Sequence, residues 1–214
     1  MRMILPEPAT ELNSPVRTVL WQRINSPGSE WCAVEQESDG WRLHGIVLTE
    51  VASAPVLVHY AVALATDWST RVVEIAMRSG AASEPRTLKL TVAPDQRWQI
   101  EREPGLEPAM PADDVVTLHG LVDVDLGFSP VTNTLPIRRL DPAIGEAIAV
   151  TAAWVRFPEL TVEPLSQRYI RLAERRYLYE SAGGAFVAEI EVDDLGLVTT
   201  YEGGWRRIAA SSDH

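Results

Sequence analysis

Period-two alternation runs through most of the chain. Val56, Val58, Tyr60, Val62 and Leu64 alternate with Leu57, His59, Ala61 and Ala63. The rhythm returns at Val73-Ile75-Met77, Leu88-Leu90-Val92, Leu165-Gln167-Tyr169 and Phe186-Ala188-Ile190-Val192. Successive side chains of a strand point to opposite faces, so such runs predict strands rather than helices. Turn signals separate them: Ser38-Asp39-Gly40, Asp67-Trp68-Ser69, Pro94-Asp95, Gly183-Gly184 and Asp193-Asp194-Leu195-Gly196. Ten or more short strands at this spacing predict an all-β chain whose antiparallel sheet is closed or half closed. Both faces of the Val56–Thr66 run are apolar, which predicts a central strand and makes His59 a core histidine. A short helix is expected to start at Asp141-Pro142, an N-cap followed by a first helical proline, and Gly145 ends it.

The chain has 214 residues, 46% of them hydrophobic, enough for one core of generous size. Residues 1–17 read as a lead-in, 18–208 as a single sheet domain and 209–214 as a tail. Pro104, Pro108 and Pro111 mark a loop crossing between two halves of that sheet. A formal net charge of −11 argues against nucleic acid and anionic membrane as general partners, since both are polyanions. The N-terminus carries only a three-residue apolar run before Pro6, and no run approaches a membrane span, so a soluble cytoplasmic protein is expected. Cys32, the sole cysteine, excludes an internal disulfide. His44, His59 and His119 have no metal-ligand spacing, and no phosphate loop or dinucleotide fingerprint occurs, so neither metal nor cofactor is expected.

One stretch breaks the alternation. Asp123 to Leu140 opens as a strand and is then punctuated by Pro130 and Pro136, reading as neither helix nor clean strand. Val131, Leu135 and Ile137 lay it on a core, while Thr132, Asn133 and Thr134 can bond nearby backbone. It is a plug or a binding loop. Asp123 and Asp125 share a strand face about 6–7 Å apart, as an acid–base pair or as partners of Arg138 and Arg139. Trp68 and Trp205, beside turns, are candidate rim residues of a cavity. Gln167 and Tyr169 share a face and would supply polar groups to it. Arg71 and one of Arg138 or Arg139 are candidates to converge on a common anion; the alternative is that they pair with the aspartates and hold the loop.

Four segments, TDWSTR, DLGFSPVTNTLPIRRL, AAWVRFPELTVEPLSQRY and VDDLGLVTTYEGGWRRI, together resemble the bacterial "putative glycolipid-binding" family from about Trp21 to Arg207. The resemblance implies a strongly curved antiparallel sheet like the open barrels of periplasmic lipoprotein carriers, which hold acyl chains in their concavity. The fold class expected is therefore an open barrel with one or two short helices. The function expected is non-enzymatic binding of an amphipathic molecule, a lipid or glycolipid, with Trp68, Arg71, Asn133, Arg138, Arg139, Gln167, Tyr169 and Trp205 as candidate contacts. Two alternatives stand beside it: a small hydrolase or isomerase using Asp123 or Asp125, and a structural or dimerising module with a filled interior.

Overall fold

The computed structural model describes residues 16–80, 84–102 and 118–211. Seven strands come first: β1 (Arg17–Arg23), β2 (Gly28–Glu37), β3 (Gly40–Val51), β4 (Ala54–Ala65), β5 (Thr70–Ser79), β6 (Arg86–Val92) and β7 (Trp98–Arg102). After β8 (Asp123–Leu126) come a 3-10 turn at Val131–Asn133 and the helix α1 (Thr134–Leu140). The chain ends in β9 (Ala147–Val155), β10 (Val162–Ala173), β11 (Arg176–Ser181), β12 (Phe186–Val192), β13 (Val198–Tyr201) and β14 (Trp205–Ala210). All fourteen form one sheet in the order β7-β6-β5-β4-β3-β2-β1-β14-β13-β12-β11-β10-β9-β8. β1 and β14 reach into residues that composition assigns to the lead-in and tail. The proline-marked crossing lies in 103–117, outside the described residues, as do lead-in residues 1–15.

The sheet is curved and does not close. Its ends are nonetheless tied. The Thr70 amide donates to the Val122 carbonyl at 2.9 Å, the Trp98 indole to Leu121 at 3.0 Å, and the Arg86 guanidinium to the Pro158 and Glu159 carbonyls. The alternation sets the faces: Val56, Val58, Tyr60, Val62 and Leu64 are buried inward, and His59 lies exposed outside. β4 is flanked on both sides within the sheet, but none of the described residues forms a second layer over its outer face, and exposed His59 is not a core residue.

Two expectations about the organising stretch are corrected. It is helical from Val131 to Leu140, and Asp141 ends the helix rather than starting one. Pro136 falls in the first turn of α1, where a missing N–H breaks no bond. Asp141 adopts the left-handed conformation (φ 35°) that short polar side chains tolerate, its amide donating to the Ile137 carbonyl, and Pro142 blocks continuation. The sheet is also mixed: β8 pairs in parallel with β9, and every other pair is antiparallel. Parallel neighbours need a long crossover, and the 3-10 turn with α1 supplies it. That crossover passes through the concavity. Phe128, Val131 and Leu135 are fully buried in the same core as Trp21, Leu43, Val62, Leu90 and Trp98. The hollow that β1–β7 would enclose is thus occupied by the chain itself. Gly127 allows the close approach: a β-carbon there would stand 2.8 Å from the Trp154 indole nitrogen and 3.0 Å from the Val155 carbonyl.

Candidate functional site

The plug fills one half of the concavity and leaves a cavity of about 310 Å³ in the other, against β10–β14. Tyr179, Phe186, Tyr201 and Trp205 give it aromatic walls, and Arg23, Asp125, Asn133 and Ser181 give it polar groups. The walls are organised by ring contacts. Phe186 and Tyr201 stack at 6.3 Å between centroids, and Tyr179 sits 6.1 Å from each. Cross-strand register explains part of this, since Tyr169 lies directly opposite Tyr179 in the β10–β11 pair, their rings 5.0 Å apart.

The floor is a hydrogen-bonded row. The buried Gln167 amide donates to Asp125. The Tyr169 hydroxyl donates to Asn133 Oδ1 at 3.0 Å, and Asn133 Nδ2 donates to the Pro130 carbonyl at 3.0 Å. Asn133 therefore couples the plug to the sheet. Thr132 accepts from the Leu126 amide, and Thr134 donates to the Gly196 carbonyl across the fold. Burial pushes the Asp125 carboxyl up to about 6, against the lowering effect of the Gln167 bond. Asn133→Ala is expected to destabilise the protein by about 1–3 kcal/mol, because the buried Tyr169 hydroxyl loses its nearer acceptor and keeps only Gln167 Oε1 at 3.5 Å; a chemical-denaturation midpoint unchanged from wild type would contradict this.

Asp123 has a different fate. It is fully buried and receives a two-pronged contact from Arg139, Nε to Oδ1 at 3.2 Å and Nη2 to Oδ2 at 2.5 Å. Burial still raises its carboxyl above the usual range, with Arg139 opposing. The two aspartates thus have separate partners, and Asp125 is the one that reaches the cavity. The arginines are separated too. Arg71 pairs with Asp39 on the exposed surface, and Arg138 lies 5.5 Å over the ring of Trp68, which is itself buried and stacked on Trp41. Of the residues singled out in the sequence, Asn133 and Trp205 line the cavity. Gln167 and Tyr169 hold its polar floor. Trp68, Arg71, Arg138 and Arg139 have their contacts elsewhere.

Sequence reading missed Arg23, Tyr179, Phe186 and Tyr201 as wall residues. A signal for Arg23 was present, since it continues the inward row Val19-Trp21 of β1 by one more step of two. The Tyr177-Tyr179 alternation similarly pointed two rings to one face.

A larger hollow of about 650 Å³ runs along the outer face, past Trp31, Ile46, His59, Ala61 and Ala76. It is an open groove over small side chains. Two of its charged side chains, Lys89 and Glu74, pair with each other, and His44 meets Glu35 beside the groove. The concave cavity is smaller, but polar groups on separate strands converge in it, which is the arrangement of a small-molecule site. Three of the four segments that carry the family resemblance also meet there, through Asp125 to Asn133, Trp154 and Leu165, and Tyr201 to Trp205.

The comparisons agree with that architecture. Among curated proteins none matches the chain. A crystal structure of a DUF1089 family protein from Pseudomonas aeruginosa is similar at 30% identity, with a TM-score of 0.69 over 86% of this chain and 95% of that one. The model of the family described as "Putative glycolipid-binding" matches residues 18–207, and the chain belongs to that family.

Proposed function

We propose that the protein binds, without chemical turnover, the saccharide head of an amphipathic molecule of the glycolipid class in the concave cavity. The observation that carries this reading is the cavity itself: flat aromatic faces on one side, and a fixed row of donors and acceptors on the other. Sugar rings offer apolar C–H faces and polar edges, and such a lining answers both. About 310 Å³ lies at the low end of small-molecule pockets. It suits a head group rather than acyl chains, whose usual place in an open barrel is taken here by Phe128, Val131 and Leu135. An alkyl tail would leave along the rim, where Phe186 is 45% and Ile24 50% exposed, the Ile24 amide bonding to the Gly204 carbonyl of the cavity wall. The plug then has two roles, as core and as floor.

Calorimetric titration with octyl β-glucoside below its micellar concentration, together with native mass spectrometry for co-purifying lipid, tests the reading. Saturable binding that weakens about tenfold or more in Trp205→Ala, with the fold retained, is expected from loss of one stacking face. Binding of equal strength in that variant, or no binding by either method, would overturn it.

A further inference from the structure

Among the described residues Arg23 is the one cation that lines the cavity, and the ion pairs of the fold leave it over. The described arginines with ion pairs include Arg42, Arg71, Arg97, Arg139, Arg156, Arg168, Arg171, Arg176 and Arg207, in a chain with eleven excess negative charges. In such a chain an arginine at a half-buried position ought to find a carboxylate readily. Among the described residues Arg23 reaches none within ion-pair distance. Its Nε is buried with no acceptor. Its guanidinium carbon lies 5.3 Å from the centroid of the Trp205 ring, a contact that places the cation at one wall of the cavity without neutralising it.

The carboxyl that acts on Arg23 electrostatically is Glu30. Its contacts lie elsewhere: Tyr60 and Ser129 both meet its Oε1, at 2.5 and 2.6 Å. Burial pushes Glu30 up to about 8, so at neutral pH it holds a proton and gives Arg23 no full counter-charge. Asp125 lines the same cavity but takes its hydrogen bond from Gln167 and forms no ion pair with Arg23. The site therefore presents an uncompensated planar cation beside a stacking ring, with the Asp125 carboxyl of β8 available to accept from hydroxyls.

We propose that the head group taken by this cavity is anionic, its carboxylate or phosphate held by the Arg23 fork while its sugar ring lies on Trp205. The proposal rests on the saccharide-binding reading above and names the class of head group within it. Guanidinium matches both oxyanions by two parallel hydrogen bonds, so the chemistry shared by a uronic acid and a sugar phosphate is what the site selects.

The test is calorimetric titration of the full chain with methyl β-glucoside, glucuronate, glucose 1-phosphate and inorganic phosphate, at low and high salt. The wild type is expected to bind glucuronate or glucose 1-phosphate at least about tenfold more tightly than methyl glucoside, with the gap narrowing at high salt. Arg23→Gln should remove the gap, and Arg23→Lys should keep part of it. The comparison within the wild type decides the matter even where Arg23→Gln fails to fold. Equal affinity for neutral and anionic sugars would overturn the anionic assignment and leave the saccharide reading standing. Phosphate binding as well as glucose 1-phosphate would support Arg23 as an anion acceptor and overturn the saccharide reading. Loss of stability in Arg23→Gln with the sugar preference unchanged would overturn the assignment and make Arg23 a structural partner of Glu30. Failure of all four probes would overturn both.

Discussion

Phe128→Ala is expected to destabilise the protein by about 3–5 kcal/mol, the range for emptying a large aromatic site in a packed core. Phe128 has no exposed surface, and its ring sits 6.0 Å from Tyr60 on β4 and 5.7 Å from Phe157 after β9. It therefore joins the two halves of the sheet through the plug. The surrounding residues are on strands whose register is fixed by a continuous ladder, so they cannot close on the void. For a domain of this size the loss corresponds to a fall of roughly 6–20 °C in Tm. Thermal and chemical denaturation measure it directly. A loss under about 1 kcal/mol would mean that the plug packs loosely and that the concavity can open.

The second large effect is on pH dependence. Glu30 is wholly buried and pushed up to about 8 by desolvation, although the Ser129 and Tyr60 bonds and the Arg23 charge oppose that shift. In the unfolded chain it titrates near 4.5. Between those values the folded state keeps a proton that the unfolded state releases. Its contribution to stability is therefore fully present below about 4.5 and is lost as pH rises through about 8. At about 1.4 kcal/mol per pK unit the loss is on the order of 5 kcal/mol. Asp125, raised to about 6, adds in the same direction over a lower window. Denaturant midpoints are thus expected to fall between about pH 5 and pH 9, and Glu30→Gln is expected to remove most of that fall. A wild-type midpoint that rises toward pH 9 would contradict the assignment.

These two residues show where sequence reading succeeds and where it stops. Inward alternation is written locally, so Val56-Val58-Tyr60-Val62 was legible, and with it a single sheet of ten or more strands; its strong curvature was what the family resemblance implied. The helix at Thr134–Leu140 was not. Pro130 and Pro136 look like breakers in a linear reading, and only the positions they take, one before the 3-10 turn and one in the first turn of α1, make them harmless. Glu30 sits in β2 among Ser29, Trp31 and Cys32, and nothing nearby says that Ser129, 99 residues on, will bond to it. The same holds for the site. Asn133, Gln167, Tyr169 and Trp205 could be picked out by residue type and strand face. Arg23 matters because it lacks an ion-pair partner among the described residues, and whether one exists is settled only when the strands are brought together.

The central claim is that the plug divides the concavity into a packed half and a binding half. A crystal structure of the protein with octyl β-glucoside tests it most directly. The account predicts the sugar ring in the cavity between Asn133 and Trp205, with the tail leaving past Phe186. A glycoside lying instead in the outer groove beneath Trp31, with the concave cavity closed over by its own side chains, would contradict it.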